Sequence, residues 1–258
     1  IRDPLVINGS LTINDSTNLK FSKDAYLIVK GEIKFIGSKT EPIILESLNS
    51  GWKGIYVLSE DNNKSILENV IVKNTLGLNH DLLSLSGGIN IYGGNINIKN
   101  LDIQGSNAED ALNIIKSFVN IDGLKVKNTI SDAFDCDFCD GIIKDINLSN
   151  VGGDGLDISG SNLKILDMKA KNIVDKAFSV GEKSFAVIDG AIFNTIATGI
   201  AVKDSSMVKA SNITLINVEY DSFMTYVKKP FYKGNTKLDV REYNIDRFPP
   251  INCPDAIP

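Results

Sequence analysis

The chain has 258 residues, of which 43% are hydrophobic and 23% are charged, an ordinary composition for a globular protein. Its formal net charge of −5 makes nucleic acid an unexpected partner. No run of about 18 apolar residues is present, so the sequence predicts no transmembrane helix. The chain begins at Ile1 rather than Met, and we expect a processed form or a part of a larger protein.

The N-terminal region, residues 5–47, consists of short segments in which apolar and polar residues alternate, separated by Gly, Asn, Asp and Ser. Alternation with a period of two is typical of half-buried strands, and the intervening residues are typical of turns. Trp52, in GWKGIYV, is expected in the core or at the base of a loop, and His80, the only histidine, is expected at the surface. No helical period of useful length follows, so the sequence predicts an all-β chain.

A repeat becomes visible from residue 109 onward. The segments EDALNI, SDAFDCD, GDGLDIS, DKAFSVG and ATGIAVK begin at residues 109, 131, 153, 175 and 197, each 22 residues after the last. A column of turn residues keeps nearly the same period: Ser106, Asn128, Asn150, Asn172, Asn194 and Asn217. Short strands that recur at this spacing predict a solenoid in which each repeat forms one coil and the asparagines stack into a ladder.

The segments GSKTEPIILES and GWKGIYV resemble the opening coils of bacterial right-handed parallel β-helix proteins, the fold of pectate lyases and other polysaccharide lyases. The resemblance implies a single all-β domain with coils of about 22 residues. We assign residues 1–235 to the parallel β-helix. Residues 236–258, which are rich in Pro, leave the repeat and are expected to cap its open end.

Acidic residues concentrate in the middle of the chain, where ten of them accompany four lysines between Ala108 and Asp157. The repeat register aligns them on adjacent coils, about 4.8 Å apart. One predicted column holds Asp110, Asp132, Asp154 and Lys176, and a second holds Asn113, Asp135, Asp157 and Ser179. Within SDAFDCDFCDG, we expect Asp135 and Asp137 to face solvent and Phe134, Cys136 and Phe138 to face the core, with Cys136 as a small buried thiol.

Crowded carboxylates repel one another, and three explanations remain open at this stage. A divalent cation would offset the repulsion, with Asp132, Asp135, Asp137, Asp154 and Asp157 as ligands, and calcium suits such hard oxygen donors. Alternatively, the crowding separates the pKa values for general acid and base catalysis. The third explanation is a solvated acidic surface screened by salt and by Lys176.

This arrangement is similar to that of calcium-dependent polysaccharide lyases on the same fold, which pair an Asp-rich calcium site with a lysine base. The resemblance implies an acidic, uronate-containing polymer as substrate, calcium as cofactor and catalytic roles for Lys176, Asp132 and Asp154. The base has to be neutral, whereas neighbouring carboxylates raise the pKa of a lysine, so this interpretation requires the cation. Residues placed for substrate binding are Asp110, Asn113, Tyr92, Glu182 and Lys203.

Two other functions are also compatible with the sequence. A glycoside hydrolase would use aspartates on successive coils, and GGDGLDIS resembles such motifs, although no histidine or arginine lies in the repeat. In a polysaccharide-binding or adhesion module, calcium bound to the acidic patch would only stabilise the fold. In each case we expect the protein outside the cytoplasm, in the extracellular space, at the cell surface or in the periplasm.

Overall fold

A computed structural model describes residues 1–59, 63–80 and 83–246, and within these residues all regular structure is β-strand. The first strands are β1 (Leu5–Asn8), β2 (Leu11–Asn14), β3 (Asn18–Phe21), β4 (Tyr26–Lys30), β5 (Ile33–Ile36), β6 (Ile43–Ser47), β7 (Gly54–Leu58), β8 (Lys64–Thr75), β9 (Leu78–His80), β10 (Leu83–Leu85) and β11 (Gly87–Tyr92). They continue as β12 (Asn95–Ser106), β13 (Asp110–Ile115), β14 (Phe118–Thr129), β15 (Asp132–Asp137), β16 (Asp140–Val151), β17 (Leu156–Ser159), β18 (Asn162–Gly181), β19 (Phe185–Lys203), β20 (Met207–Val218), β21 (Phe223–Tyr226) and β22 (Lys237–Asp246).

Strands stack in parallel on the equivalent strands of the next coil. In the central coils β13, β15 and β17 are neighbours, with Leu112 beside Phe134 and Phe134 beside Leu156. These pairs are 22 residues apart, as the repeat predicts. The predicted fold class, an all-β solenoid of parallel strands, is therefore confirmed.

The core lies inside the coils and runs the length of the helix. Inward positions of successive strands supply aliphatic and aromatic side chains, among them Phe134 and Phe178. Trp52 is fully buried and stacks on Phe21 with ring centroids 3.9 Å apart, as expected for a core residue. Because the apolar side chains alternate with polar ones, each strand buries one face and leaves the other available for a site.

The asparagine ladder is present over three coils. Asn150 Nδ2 donates to Asn128 Oδ1 at 2.9 Å, and Asn172 Nδ2 donates to Asn150 Oδ1 at the same distance. All three residues have φ near +60°, a conformation that asparagine tolerates better than most residues. The ladder positions predicted for Ser106 and Asn194 are wrong by one residue, because coils of 23 residues intervene there and shift the register.

A hairpin interrupts the solenoid between β8 and β11, and the repeat did not predict it. Strands β9 and β10 pair antiparallel with each other rather than with the coils. Leu78 and Leu85 pack on Tyr56 and Ile28, which lie on the outer face of β7 and β4 and form a second apolar cluster separate from the core. The hairpin therefore covers the outside of the helix just before the acidic coils.

The C-terminal residues continue the stack further than the predicted boundary. Strand β22 pairs in parallel with β20, from Met207 beside Lys237 to Ile216 beside Asp246. Residues 247–258, the rest of the expected cap, lie outside the described residues. Within the described part of the chain, no helix has the length and apolar character to cross a membrane.

Candidate functional site

Two columns of polar side chains lie on the outer face of coils β11 to β19. Asn90 is followed by Asn113, Asp135, Asp157 and Ser179, each beside the next in the strand register. This is the second column that the repeat predicted, and Asn90 extends it by one coil. Asn113 is only 4% exposed although it points away from the core, so the column forms the floor of a groove rather than a flat surface.

The first column, made of Asp110, Asp132, Asp154 and Lys176, lies beside the floor and links the coils. The backbone N–H of Asp154 donates to Asp132 Oδ1 at 2.7 Å, and the backbone N–H of Lys176 donates to Asp154 Oδ1 at 2.9 Å. Asp132 and Asp154 thus each use one carboxylate oxygen to satisfy an amide of the next coil, a structural task that such side chains perform well. The other oxygen of these two carboxylates remains available for a ligand.

Three carboxylates converge where the two columns meet. Oxygens of Asp132, Asp154 and Asp157 all lie within 4.8 Å of one another. Asp157 Oδ2 accepts from Lys203 Nζ at 3.4 Å, whereas Asp157 Oδ1 is buried and has no hydrogen-bond partner among the described residues. The structure therefore brings together three of the five predicted metal ligands, and Asp135 and Asp137 are not part of this group.

Burial makes the patch unusually hard to ionise. Loss of hydration, followed by repulsion from Asp137 and other carboxylates, raises the pKa of Asp135 to about 9. Burial and, after it, repulsion from neighbouring carboxylates raise the pKa of Asp132 to about 7 and that of Asp137 to about 6. Burial also raises the pKa of Asp110 and of Asp154. Asp135 and Asp137, which were expected to face solvent, lie on the outward face of the strand but are half-buried.

Lys176 lies at the end of the first column and is paired twice. Its Nζ donates to Asp175 Oδ2 at 2.6 Å and to Asp154 Oδ1 at 3.3 Å. Burial lowers the pKa of Lys176, but the hydrogen bond and charge of Asp175 and the charge of Asp154 outweigh it and raise the pKa overall. Without a cation on Asp154, Lys176 is therefore an ammonium group and not a base, as the sequence predicted.

Lys203, which was predicted to bind substrate, is buried rather than exposed at the surface. It is 5% exposed, and its Nζ donates to Ser179 Oγ at 2.8 Å as well as to Asp157. The lysine holds Asp157 in position from the C-terminal side of the groove. An unpaired charge at this depth would be costly, so Lys203 and Asp157 depend on each other.

The remaining predicted substrate residues lie in the floor or beside it. Asn113 Nδ2 donates to Ser86 Oγ at 2.7 Å and to Asp110 Oδ2 at 3.0 Å. Tyr92 is 42% exposed, as expected, and Lys116 Nζ lies 5.6 Å from its ring centroid. Glu182 accepts from Lys229 Nζ and, at 3.2 Å, from Tyr232 Oη, which ties the segment 228–232 to the side of the helix.

Two expectations about the stretch around Asp137 are wrong. Phe138 is 56% exposed rather than inward, because its φ of 54° turns the chain outward at this point. Cys136 is fully buried, as expected, but it forms a disulfide with Cys139 instead of remaining a free thiol. The bond closes the turn that carries Asp137. The side chain of His80 lies outside the described residues.

These features define a parallel β-helix with an acidic groove on its side. No protein-family model matches the sequence, and no curated protein matches it. Among solved structures, endopolygalacturonase I from Stereum purpureum, determined with two galacturonate molecules, is similar at 11% identity and a TM-score of 0.37, over 95% of this chain and 94% of that one.

Proposed function

We propose that the chain is a carbohydrate-active enzyme, a calcium-dependent lyase that cleaves an acidic, uronate-containing polysaccharide in the acidic groove. One observation supports it above the others: the carboxylates of Asp132, Asp154 and Asp157 converge within 4.8 Å, with a buried Asp157 oxygen that no described group satisfies. Buried carboxylates that lack partners are costly, and a bound cation removes that cost.

The donor set suits calcium in chemical type. Asp132 and Asp154 each have one oxygen that is not used by a backbone amide, and Asp157 contributes its unpartnered Oδ1. Calcium takes six to eight hard oxygen ligands, so a carboxylate of the substrate and water would complete the set. When bound, calcium would withdraw charge from the uronate carboxylate and so acidify the C5 proton that elimination removes.

Lys176 is the base in this proposal. Its ammonium form is favoured by Asp154, whose Oδ1 lies 3.3 Å from Nζ, and by Asp175. Once the Asp154 charge is shared with a cation, that attraction weakens and the half-buried lysine loses its proton more readily. Lys176 would then accept the C5 proton, and an acidic side chain of the floor would protonate the leaving oxygen.

The floor offers candidates for that acid and for substrate binding. Asp135 lies beside Asp157 in the floor, and its pKa is raised to about 9 in the metal-free protein. A cation on the neighbouring carboxylates would lower that pKa, so that Asp135 gives up its proton more readily and can serve as the acid. Asn113 and Lys203 offer polar groups on either side of the carboxylates, and exposed Tyr92 offers a ring face on which a sugar can stack. Asp110 and Glu182 extend the polar rim.

The disulfide between Cys136 and Cys139 supports a location outside the cytoplasm. Disulfides persist in oxidising compartments and are rare in the cytosol. An extracellular, cell-surface or periplasmic protein would also meet an acidic polysaccharide and millimolar calcium.

A glycoside hydrolase is the second candidate, and a specific observation favours it. The pKa of Asp132 is raised to about 7, whereas Asp157 on the next coil is paired with a lysine. Carboxylates whose environments differ in this way are suited to serve as acid and base for hydrolysis. This candidate requires no cation.

One experiment separates the candidates. Calcium is titrated calorimetrically into metal-free protein and into Asp157→Asn, with Asp122→Asn, an exposed aspartate, as the matched control. The lyase proposal expects calcium to bind to the wild type and to the control, and to bind about 10- to 100-fold more weakly to Asp157→Asn. It also expects uronate polymers to yield an unsaturated product that absorbs in the ultraviolet. New reducing ends without that absorbance and without a calcium requirement would establish the hydrolase. Calcium binding without any turnover would leave a binding module.

A further inference from the structure

One edge of the acidic groove carries an exposed aromatic side chain at a turn of the coil. Phe138 directly follows Asp137, and it is 56% exposed. The turn does not call for an aromatic residue, because its φ of 54° lies in the left-handed region, which glycine and asparagine adopt more readily. The core does not need the ring either, since the side chain points away from it. Neither the turn nor the core therefore explains a phenylalanine at this position.

The structure makes room for the ring of Phe138 on the next coil. A Cβ atom added to Gly160 would meet Cδ1 of that ring at 2.6 Å and Cε1 at 2.7 Å, so only glycine fits beside it. The disulfide between Cys136 and Cys139 closes the turn from which the ring projects. The ring is thus held at a fixed place along the edge, with more than half of the residue open to solvent.

Two more aromatic rings lie on the same edge, one on either side of Phe138. Tyr92, which is 42% exposed, lies two coils earlier, in the strand register of Asp137. Tyr232 lies about two coils later, because its Oη donates to Glu182 Oε2 at 3.2 Å and Glu182 holds the turn position that Phe138 holds two coils before. Neighbouring coils are about 4.8 Å apart, so these three rings, the aromatic row, follow one another at roughly 10 Å. Exposed apolar groups that are arranged together mark binding surfaces, whereas single ones do not.

Each outer ring of the aromatic row has a lysine beside it. Lys116 Nζ lies 5.6 Å from the ring centroid of Tyr92, and Lys183 Nζ lies 5.8 Å from that of Tyr232. Both lysines are exposed. The C–H faces of a pyranose can stack on aromatic rings, and ammonium groups pair with carboxylates. The row therefore suits a sugar chain that carries carboxylates.

The aromatic row lies beside the floor of the groove and not on it. Phe138 is three residues beyond Asp135 on its coil, up to roughly 10 Å away. A sugar stacked on its ring lies to the side of the converging carboxylates and does not need the cation that they would bind. Of the acids near the row, Glu182 is paired with Lys229, and Asp137 lies one residue toward the floor. The row is therefore a surface separate from the proposed cleavage site.

We propose that the aromatic row is a second binding site, which holds an acidic polysaccharide along the helix axis independently of calcium. The acidic class of the ligand rests on the proposed function, whereas the row itself does not. A spacing of two coils is close to the length of a disaccharide, so alternate sugars stack on Tyr92, Phe138 and Tyr232. Carboxylates of the chain lie within reach of Lys116 and Lys183. A polymer held here stays near the groove, which raises its effective concentration at the cleavage site.

The first test measures binding by calorimetry in EDTA, with hexasaccharides of polygalacturonate and of alginate, which are long enough to reach all three rings. At least one should bind to the wild type, and Phe138→Ala should weaken that binding about 2- to 10-fold, the value of one aromatic contact. Phe138→Tyr should restore it. Tyr220→Ala removes a ring that is 72% exposed but lies outside the row, and it should leave binding unchanged. Equal binding to the wild type and Phe138→Ala, or no binding of either sugar, would overturn the inference.

The same titration keeps this inference distinct from the proposed lyase. Asp157→Asn should bind the hexasaccharide in EDTA as the wild type does, and Phe138→Ala should bind calcium as the wild type does. A protein that binds the sugar through Phe138 but neither binds calcium nor cleaves would retain the second site without the lyase. Loss of sugar binding in Asp157→Asn with no effect of Phe138→Ala would place the ligand in the groove and overturn the second site.

A second test moves the ring without removing it. Gly160→Ala introduces a Cβ where the ring of Phe138 lies, and it should weaken hexasaccharide binding as much as Phe138→Ala does. The double variant Phe138→Ala with Gly160→Ala should bind no more weakly than Phe138→Ala alone. Gly190→Ala, which changes a glycine of similar backbone conformation (φ 77°) away from the row, controls for backbone strain, and urea unfolding verifies that each variant is folded. Additive losses in the double variant would show that Gly160 does not act through the ring.

Discussion

One column of outward-facing positions takes two opposite forms along this helix. In the N-terminal coils it holds Ile28 and Tyr56, which are apolar, covered by a hairpin and closed to solvent. In the central coils it holds Asn113, Asp135 and Asp157, which are polar and form a groove floor. The inward neighbours in both regions are apolar and buried, for example Val57 and Phe134.

The comparison shows how a solenoid separates stability from function. Inward positions have to fill a continuous core, so their chemistry hardly changes from coil to coil. Outward positions carry no such constraint, and neighbouring coils can use them for packing or for a site. The acidic half has a cost in stability, because its carboxylates are crowded and partly dehydrated, whereas the covered half stabilises the fold.

The largest effect is expected in the covered half. Tyr56→Ala should lower the free energy of unfolding by about 3–5 kcal/mol, because it removes a fully buried aromatic side chain. Tyr92→Ala, at an outward position that is 42% exposed, is the matched control and should change it by no more than about 0.5 kcal/mol. Urea unfolding measures both, and equal losses would show that the two halves do not differ in packing.

A smaller effect of opposite sign is expected in the acidic half. The folded-state pKa of Asp135 is raised to about 9, so the folded protein binds the proton more tightly than the unfolded chain, whose aspartates titrate near about 4. The stability of the metal-free protein should therefore fall as pH rises from about 4 to about 9. Asp135→Asn should remove part of this slope and stabilise the protein by on the order of a few kcal/mol at pH 9, with little change at pH 4.

Thermal unfolding of metal-free protein at a series of pH values tests this, with exposed Asp122→Asn as the control. If stability fell with pH equally in the wild type and in Asp135→Asn, Asp135 would be ionised in the folded state. Saturating calcium should reduce the slope in the wild type, because a cation on the patch favours the charged carboxylates.

The smallest effect is expected at the boundary between the halves. Ser86→Ala removes the oxygen that accepts from Asn113 Nδ2 and should cost about 1 kcal/mol, the value of one hydrogen bond. Ser84→Ala, at an exposed position of the hairpin, is the control. A loss confined to Ser86→Ala, measured by chemical denaturation, would confirm that the hairpin is joined to the groove floor, and equal values would refute it.

Much of this architecture could be predicted from the repeat. The alternation of Leu112, Phe134 and Leu156 with polar neighbours predicted which residues face the core, and the 22-residue period predicted that Asp135 lies beside Asp157. Both follow from the regular geometry of strands, in which position along the chain determines the face and the neighbour. Where coils of 23 residues occur, as at Ser106 and Asn194, the same counting gave the wrong partner.

The sequence by itself thus determined the fold, the core and the place of the acidic columns, because these depend on periodicity that a chain carries locally. Only the tertiary structure decided how that surface is used. It showed that Asp132 and Asp154 bind amides of the next coil, that Lys203 reaches back to Asp157, and that a hairpin covers Tyr56 beside the groove. Burial, side-chain direction and contacts across distant loops depend on the whole packed chain, and no period in the sequence encodes them.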